Sequence, residues 1–471
     1  MLRRLAALLL VAFALAGTPA AQAVPPSTVL AAEITIPMSD GAKIATTLYE
    51  PLAGAPPYPA ILMLHGLGGK RQDIADLATG LAERGYAVLT PDFRGHGQSE
   101  GLVSIDGPRE IADVKELVTW LKARPDVNGQ IGGWGISLGG GAILRALVEG
   151  VPFTTVETVE TWTDLYGALA PQNLSKSGAV SQFLASVPED RITPEVKALR
   201  GDALRSRHLR TLRAFARPRS SRQLLSRVKT PVFMLQGRRD FAFDLTQAKA
   251  AVELLRGPKR LYVGDFGHAP STFPGPDIAH VQDLMGRWFD KYMRATGSSP
   301  AGVYELAPEA WLGTLTTSAH LPKVRSAGFR LGGRETIRAT GKVVRDSGRT
   351  SRKLETFGSG TVRVDASLSG GWERLVAVLV AKPSHGSEIV VTEGGVNTSG
   401  LKGKHRLTIR LIDDATKIPS GSRLSLTLAP SSTAENPGNL LYLDLPMPAS
   451  ARVTIGRVSL ALPVLRKPVS R

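Results

Sequence analysis

The stretch Gly135-Ile136-Ser137-Leu138-Gly139 decides the fold that this sequence predicts. It fits the pattern Gly-x-Ser-x-Gly, in which a serine sits on a sharp turn between a strand and a helix. Residues 130–134 read as a short buried strand before the turn, and residues 140–147 read as a helix after it. The pattern alone also arises by chance in a chain with 49 glycines. Its setting between a strand and a helix favours Ser137 as a nucleophile.

Strands and helices alternate on both sides of this turn. The apolar runs at residues 60–64 and 232–236 are typical of strands that are buried on both faces of a sheet. Residues 108–123 instead have the apolar spacing of an amphipathic helix. This alternation predicts the α/β class, with a mainly parallel sheet covered by helices and with reactive groups at the carboxyl ends of its strands. The predicted unit spans residues 24–300.

Two segments depart from this alternation. Residues from about 165 to 228 have only helical patterns, which predict a short helical lid over the sheet. Beyond a Gly-Ser-Ser-Pro segment at residues 297–300, strand-like runs recur between turns and predict a β-sandwich over residues 301–471. These runs lie at residues 361–364, 375–380, 388–391, 406–411, 423–428, 440–445 and 451–455.

The first residues have the pattern of a secretory signal peptide. Arg3 and Arg4 precede an apolar run over residues 5–16, and small residues follow at Ala21-Gln22-Ala23. The run is too short to span a membrane, so residues 1–23 are interpreted as a cleaved signal and the mature protein as secreted or extracytoplasmic. The chain contains no cysteine. Disulfides, thiol nucleophiles and cysteine metal sites are therefore excluded.

Positive charge is concentrated in the predicted lid. The formal net charge is +17, and residues 197–229 contain eleven Lys or Arg residues against one acid, Asp202. Two interpretations stay open: attraction of an anionic substrate or cell-surface polymer, or a solvated basic helix face. A nucleic-acid partner is not expected, because no recognition motif accompanies the charge. No cofactor and no metal is predicted, and the sequence leaves the oligomeric state open.

A serine nucleophile needs a base and an acid that orients the base. In α/β-hydrolases the acid and then the histidine follow the serine along the chain. Asp240 comes just after the predicted strand that ends at residue 236, and His268 comes after the one that ends at residue 263. Both positions are carboxyl ends of strands, so Ser137, Asp240 and His268 form the predicted catalytic set.

Alternatives stay open for the acid. Asp164 also follows a predicted strand, at residues 153–159, and triad acids can change strand while the geometry is kept. Asp240 has a second interpretation as a helix cap, although Asp244 is better placed for that role. His280 falls inside a predicted helix, where packing or exposure to solvent explains it.

The negative oxygen of a tetrahedral intermediate needs two hydrogen-bond donors. One predicted donor is the backbone N–H of Leu138, directly after the serine. The second is the backbone N–H of Leu67, in the glycine-rich loop after the strand at residues 60–64. His65 in the same loop is interpreted as structural.

The sequence resembles α/β-hydrolases of the CocE/NonD and Xaa-Pro dipeptidyl-peptidase family over nearly the whole mature chain. Residues 39–51 look like the family's opening hairpin, and residues 92–101 look like its Arg-Gly-x-Gly-x-Ser-x-Gly loop. Residues 112–137 are similar to the family's approach to the nucleophile, and residues 303–311 to its interdomain segment. The resemblance implies an α/β-hydrolase domain followed by a jelly-roll sandwich.

Two departures from the family favour ester hydrolysis over peptide hydrolysis. Leu138 stands where family members typically have tyrosine, and the loop at residues 65–68 lacks the family's second tyrosine. A dipeptidyl peptidase must also bind a free ammonium group, usually with carboxylates, whereas this lid is basic. The expected function is a secreted serine hydrolase that cleaves small-molecule carboxylic esters through an acyl-enzyme. The alternatives are an Xaa-Pro dipeptidyl peptidase or amide acylase with the same triad, and a surface-binding protein with a vestigial triad.

Overall fold

The structure, a computed structural model, describes residues 28–296, 303–432 and 440–470. The predicted signal peptide and the Gly-Ser-Ser-Pro segment lie outside these residues. The first sheet contains the strands β1 (Val29–Pro37), β2 (Lys43–Pro51), β3 (Tyr58–Leu64), β4 (Ala87–Pro91), β5 (Val127–Ile136), β6 (Thr155–Val159), β7 (Val232–Gly237), β8 (Lys259–Gly264), β9 (Tyr304–Leu306) and β10 (Thr316–Ser318).

This sheet is mainly parallel, as the sequence predicts. Its strand order is β1-β2-β4-β3-β5-β6-β7-β8-β9-β10. Every pair from β4 across to β9 is parallel, while β1 with β2, β2 with β4, and β9 with β10 are antiparallel. The carboxyl ends of the parallel strands therefore meet at one edge, where loops from distant parts of the chain come together.

Helices cover both faces of this sheet. The α-helices of the described residues are α1 (Ala75–Glu83), α2 (Pro108–Lys122), α3 (Leu138–Val148), α4 (Leu165–Leu169), α5 (Ser177–Ala185), α6 (Pro194–Arg205), α7 (Leu209–Ala216), α8 (Leu245–Leu254) and α9 (Ile278–Met293). Helices α2, α3 and α8 bury their apolar side chains in the core on one face, and α1 and α9 do so on the other. The predicted apolar face of α2 is buried at Val114, Leu117, Val118 and Leu121.

Between β6 and β7 the chain leaves the sheet and forms α4 to α7, together with short 3-10 helices. Helix α5 packs against α6, and α4 packs against α7. We call residues 165–227 the lid, and ten of the eleven basic residues noted above lie in it. It lies over the carboxyl ends of the strands, because its apolar side chains line the same cavity as the loop residues there.

The C-terminal part is a β-sandwich. Its strands are β11 (Val324–Leu331), β12 (Glu335–Arg338), β13 (Val343–Arg349), β15 (Gly358–Ser369), β16 (Arg374–Lys382), β17 (Ile389–Asn397), β18 (Gly403–Asp414), β20 (Arg423–Ala429) and β21 (Arg452–Leu465), with a small pair β14 (Leu354–Glu355) and β19 (Lys417–Ile418). One sheet has the order β11-β21-β15-β18, with β12 also paired to β21, and the facing sheet has the order β13-β20-β16-β17. Their inward side chains form one apolar core.

Two sequence-based expectations about the C-terminal part are corrected. Residues 304–318 extend the first sheet rather than the sandwich, because β9 pairs with β8 and covers an edge that would otherwise expose unpaired N–H and C=O groups. Residues 440–445 form no strand, because their backbone bonds elsewhere: the carbonyl of Leu441 accepts from the N–H of Gly178, and the N–H of Leu443 donates to the hydroxyl of Ser177.

A buried ion pair joins the two units. Arg238, just after β7, donates to Glu355 in the sandwich, and both side chains are fully buried. Glu355 also accepts from the N–H of Val469 at 2.6 Å and from the N–H of Ser470 at 3.0 Å. The carbonyl of Arg238 accepts from the N–H of Ala415 at 2.9 Å. The sandwich thus holds the chain that follows β7 in place.

Among the described residues, no helix combines the length and the apolar character that crossing a membrane would require.

Replacing Glu355 with alanine is expected to destabilise the protein by about 3–5 kcal/mol, because Arg238 would keep a buried charge without its partner. The free energy of unfolding, measured with urea, checks this. Asp346→Ala is the matched control, since the Asp346–Arg423 pair is half exposed and 3.9 Å long, so its removal should cost less than about 1 kcal/mol. Equal losses in the two variants would contradict the structural importance of the buried pair.

Candidate active site

Ser137 occupies a strained turn between β5 and α3. Its backbone angles are φ 54° and ψ −114°, a combination that a residue with a side chain rarely adopts. The N–H of Ser137 donates to the carbonyl of Val159 at 2.9 Å, and its carbonyl accepts from the hydroxyl of Thr161 at 2.7 Å. The turn holds the serine hydroxyl at the carboxyl edge of the sheet, where a nucleophile elbow presents it.

The two flanking glycines are needed because other backbone comes very close. A Cβ atom on Gly135 would lie 2.3 Å from the carbonyl oxygen of Gly139. A Cβ atom on Gly139 would lie 2.3 Å from the carbonyl oxygen of Leu64, at the end of β3. The Gly-x-Ser-x-Gly pattern is therefore explained by close approach of α3 to β5 and β3.

The structure brings the three predicted side chains together in series. The Nε2 atom of His268 lies 3.0 Å from Oγ of Ser137, and its Nδ1 atom lies 2.8 Å from Oδ2 of Asp240. Asp240 lies in the loop after β7 and His268 in the loop after β8, as the sequence predicts. An ionised carboxylate cannot donate, so Nδ1–H donates to Asp240, and when the ring is neutral its Nε2 can accept from the serine hydroxyl.

Asp240 is surrounded by donors. Its Oδ1 atom accepts from the N–H groups of Ala242 and Phe243 at 3.0 and 2.9 Å. Its Oδ2 atom accepts from Nε2 of Gln236 at 3.2 Å as well as from His268. Four donors thus hold this carboxyl group in one position. The alternative role of Asp240 as a cap of α8 belongs to Asp244, which accepts from the N–H of Thr246.

Burial lowers the pKa of His268. The charge of Asp240, the hydrogen bond to Asp240 and the charge of Glu160 together outweigh burial and raise this pKa to about 9. The rings of Phe243 and Phe183 meet the imidazole edge to face, at 5.2 and 5.8 Å between centroids. These contacts and the hydrogen bond to Asp240 hold the ring in one orientation.

Sequence reasoning missed one residue of this cluster, Glu160. It follows β6 directly, and its Oε2 atom lies 3.6 Å from Nδ1 of His268. The alternative acid, Asp164, lies elsewhere: it caps α4 by accepting from the N–H of Gly167 and is 3.7 Å from Arg222. The available signal was an acid at the first position after a buried strand, one of the carboxyl ends where reactive groups are expected.

The predicted oxyanion donors lie beside the serine. Leu138 is the first residue of α3, so its N–H has no partner within the helix and points out of the helix end. A Cβ atom on Gly66 would lie 3.4 Å from Cβ of Ser137, which places the loop of Leu67 next to the hydroxyl. Leu67 and Leu138 both line the cavity that contains Ser137. Their role as donors stays a prediction. The ring of His65 accepts from the N–H of Phe93 at 2.9 Å, which is a structural contact.

The lid lines one side of a cavity beside Ser137. This cavity has a volume of about 960 Å³, counting the space that opens to solvent. Apart from Ser137, Tyr166, Ser175 and Arg200, its lining side chains are apolar. Each lid helix contributes to them: Leu169 of α4, Val180 of α5, Val196 and Leu199 of α6, and Leu212 and Phe215 of α7. Within the described part of the chain, no aspartate or glutamate lines it.

Comparison with known proteins shows which family this chain resembles. Residues 40–270 match the X-Pro dipeptidyl-peptidase family, S15. The matched residues, called the S15 unit below, are similar to this family. The match begins at the turn between β1 and β2 and ends just past His268, so it contains the whole cluster around Ser137. The family resemblance stated from the sequence is confirmed.

Two curated relatives are similar to parts of the S15 unit. A putative Xaa-Pro dipeptidyl-peptidase of Bacillus anthracis is 25% identical over 239 residues, which are 45% of this chain and 38% of that protein. The cocaine esterase of Rhodococcus sp. (strain MB1 Bresler) is 29% identical over 130 residues, which are 26% of this chain and 22% of that protein. The chain thus spans less than half the length of the curated relatives it matches.

The fold likeness extends over both units. A crystal structure of a CocE/NonD family hydrolase from Staphylococcus aureus superposes with a TM-score of 0.72 at 14% sequence identity, and covers 93% of this chain and 94% of that one. This likeness concerns the fold alone. It confirms an α/β-hydrolase unit followed by a β-sandwich, while the jelly-roll connectivity of the sandwich stays a prediction.

Gly139→Ala in the S15 unit is expected to destabilise the protein by about 1–3 kcal/mol or more, because its new methyl group would overlap the backbone of β3. Thermal unfolding and ester turnover measure this. Gly80→Ala is the control: Gly80 is exposed in α1, with open space around a built Cβ atom, so alanine should add up to about 1 kcal/mol of stability. A stable, active Gly139→Ala protein would contradict the close packing described for the turn.

Proposed function

We propose that this protein is an exported serine hydrolase that cleaves carboxylic esters with an apolar acyl group. Ser137 is the nucleophile, His268 the general base, and Asp240 the acid that orients the base. The observation that carries the proposal is the series of contacts from Ser137 to His268 to Asp240 at the floor of an apolar cavity. Export rests on the signal pattern of residues 1–23 alone.

The first half of the reaction is acylation. The Oγ atom of Ser137 attacks the acyl carbon while Nε2 of His268 takes the hydroxyl proton, so that a tetrahedral oxyanion and an imidazolium form together. Asp240 stabilises the imidazolium through Nδ1–H. The backbone N–H groups of Leu67 and Leu138 donate to the oxyanion, and the partial positive charge at the start of α3 favours it further.

Acylation ends when the intermediate collapses: the ester bond breaks, the alcohol leaves with the proton from Nε2 of His268, and the acyl group stays on Ser137. The second half is hydrolysis of this acyl-enzyme. A water molecule then attacks the ester of Ser137, with the same nitrogen as its base. The acid forms, and the proton returns to the serine oxygen.

The cavity under the lid supports an apolar acyl group as the part of the substrate that is bound there. Side chains from all four lid helices and from Trp162 and Phe243 offer a continuous apolar surface. Burial of each CH₂ group of an acyl chain against such a surface contributes about 0.8 kcal/mol. Longer acyl chains should therefore bind better until the cavity is filled.

A second candidate function is cleavage of Xaa-Pro peptides, which the match to the S15 family favours. A dipeptidyl peptidase has to hold the free ammonium group of its substrate, and a carboxylate is the usual partner for such a charge. No carboxylate lines the described cavity, and its charged lining residue is Arg200. This composition favours esters over peptides with a free amino terminus.

The basic face of the lid supports a preference for anionic partners. Some of its cations are already paired, such as Arg219 with Glu195 and Arg200 with Glu189. Others are exposed on the outer surface, at Lys197, Arg205, Arg207, Arg210 and Arg217. We include in the proposal that these exposed cations attract an anionic substrate or an anionic polymer of the cell surface.

Ser137→Ala is expected to lower kcat for p-nitrophenyl butyrate by about 10⁶-fold and to abolish labelling by a fluorophosphonate, because no other group can form the acyl-enzyme. Circular dichroism checks that the variant is folded. A variant that turns over the ester at the wild-type rate overturns the proposed nucleophile. Faster turnover by the wild type of a Gly-Pro anilide than of butyrate esters would make the peptidase the better assignment.

Ala203→Phe is expected to lower kcat/KM for p-nitrophenyl hexanoate at least tenfold while kcat/KM for the acetate changes little, because the larger side chain fills the acyl cavity. Ala198→Phe is the matched control, since Ala198 is exposed on the same helix and does not line this cavity. Turnover of an ester series from acetate to octanoate measures both variants. An unchanged preference for acyl length in Ala203→Phe would contradict the proposed acyl site.

A further inference from the structure

Glu160 is a second buried carboxyl group at the imidazole, and the triad mechanism leaves it without a role. Carboxylate oxygens of Glu160 and Asp240 and a ring nitrogen of His268 all lie within 4.8 Å of one another. Glu160 comes from the end of β6, Asp240 from the loop after β7 and His268 from the loop after β8. Three neighbouring strands of the sheet thus each direct one titratable group to the same point.

The backbone of Glu160 is strained. Its φ angle is +50°, in the left-handed region that residues with a side chain rarely adopt. Its N–H donates to the carbonyl of Leu235 in β7 at 2.9 Å. Only 2% of the residue is exposed to solvent. Strain of this kind is retained where the surrounding structure imposes it, and it is concentrated at functional sites.

The hydrogen bonds decide which of the two carboxyl groups is ionised. Asp240 accepts from four donors, whereas the Oε1 atom of Glu160 is buried without a partner among the described residues. The Oε2 atom of Glu160 is 3.6 Å from Nδ1 of His268, which already donates to Asp240. Two adjacent carboxyl groups cannot both ionise without a large cost, so the negative charge belongs to Asp240 and the proton to Glu160.

Three titratable groups influence Glu160: Asp240 after β7, His268 after β8 and Asp277 before α9. The pKa of Glu160 is raised to about 8, chiefly by burial. The charges of Asp240 and Asp277 add to this rise, and the charge of His268 opposes it. Asp277 precedes α9 and accepts from the hydroxyl of Tyr262 at 2.6 Å. In turn, Glu160 is among the groups that raise the pKa of His268. The two titrations are therefore coupled.

We propose that Glu160 is a positioning residue that acts through His268. While Glu160 is neutral, the imidazole can lose its proton and serve as a base. When Glu160 ionises, its negative charge stabilises the protonated imidazole. This inference rests on the proposed function. A permanently ionised group at this place would keep the imidazole protonated and unable to accept from Ser137. A neutral carboxylic acid leaves the charge of Asp240 as the sole negative charge in contact with Nδ1.

Glu160→Gln tests the proposal, because glutamine has the shape of the neutral acid and cannot ionise. The rise of kcat/KM with pH should move to lower pH by about one pH unit and should follow a single ionisation, whereas the wild type should need two coupled ionisations. Glu160→Asp, which retains a carboxyl group, should retain the two ionisations. A profile of Glu160→Gln that superposes on the wild type, or moves to higher pH, overturns the proposal.

Glu157→Gln is the matched control. Glu157 is also a buried carboxyl group of β6, but its charged neighbour is Arg260 rather than His268. Its replacement should leave the pH dependence of kcat/KM at the wild-type position. An equal shift in Glu157→Gln would assign the effect to the loss of any buried carboxyl group and would overturn a specific role for Glu160.

A second measurement decides the case in which Glu160→Gln does not fold. The imidazole nitrogen NMR shifts of His268 are followed against pH in Ser137→Ala protein, with and without Glu160→Asp. Two coupled steps in the ring titration support the proposal, and a single step overturns it. Failure of the proposed function has a different signature, since wild-type protein would then neither hydrolyse butyrate esters nor react with a fluorophosphonate.

Discussion

The contact between His268 and Asp240 depends on a loop that the sandwich and the lid hold in place in addition to the strands of the sheet. Arg238, two residues before Asp240, is anchored in the sandwich by its buried ion pair with Glu355. From the lid side, the buried ammonium group of Lys176 donates to the carbonyls of Phe241 and Ala242, at 2.8 and 2.9 Å. The loop is therefore fixed by both added parts of the chain. This makes the sandwich a part of the active-site support, in addition to any binding role.

Close packing around Ser137 is the second constraint. Helix α3 approaches β3 and β5 so closely that neither Gly135 nor Gly139 has room for a methyl group. This approach places the start of the helix, where Leu138 has no hydrogen-bond partner for its N–H within the helix, next to the serine. The strain of Ser137 and the room for a substrate above it follow from the same packing.

Several parts of the site were predictable because they depend on local sequence. The strand before Ser137, the helix after it, and the positions of Asp240 and His268 after apolar strands are all read from short segments. The choice between Asp240 and Asp164 as the acid could not be made from local sequence. Both follow strands, and only the structure shows that Asp164 caps α4 while Asp240 contacts His268. Glu160 was missed because the sequence contains no sign that its backbone turns its carboxyl group toward a ring more than 100 residues away.

The sequence by itself determined the α/β class, the turn at Ser137, the order of the predicted triad residues and the separate β-rich part. Apolar periodicity and glycine placement are local properties of the sequence, and these properties are sufficient for each of these conclusions. The tertiary structure decided which carboxyl groups meet the imidazole, how the lid lines an apolar cavity and how the sandwich holds the loop of Asp240. These features arise from contacts between segments far apart in the chain, where packing selects one arrangement among many that the local patterns allow.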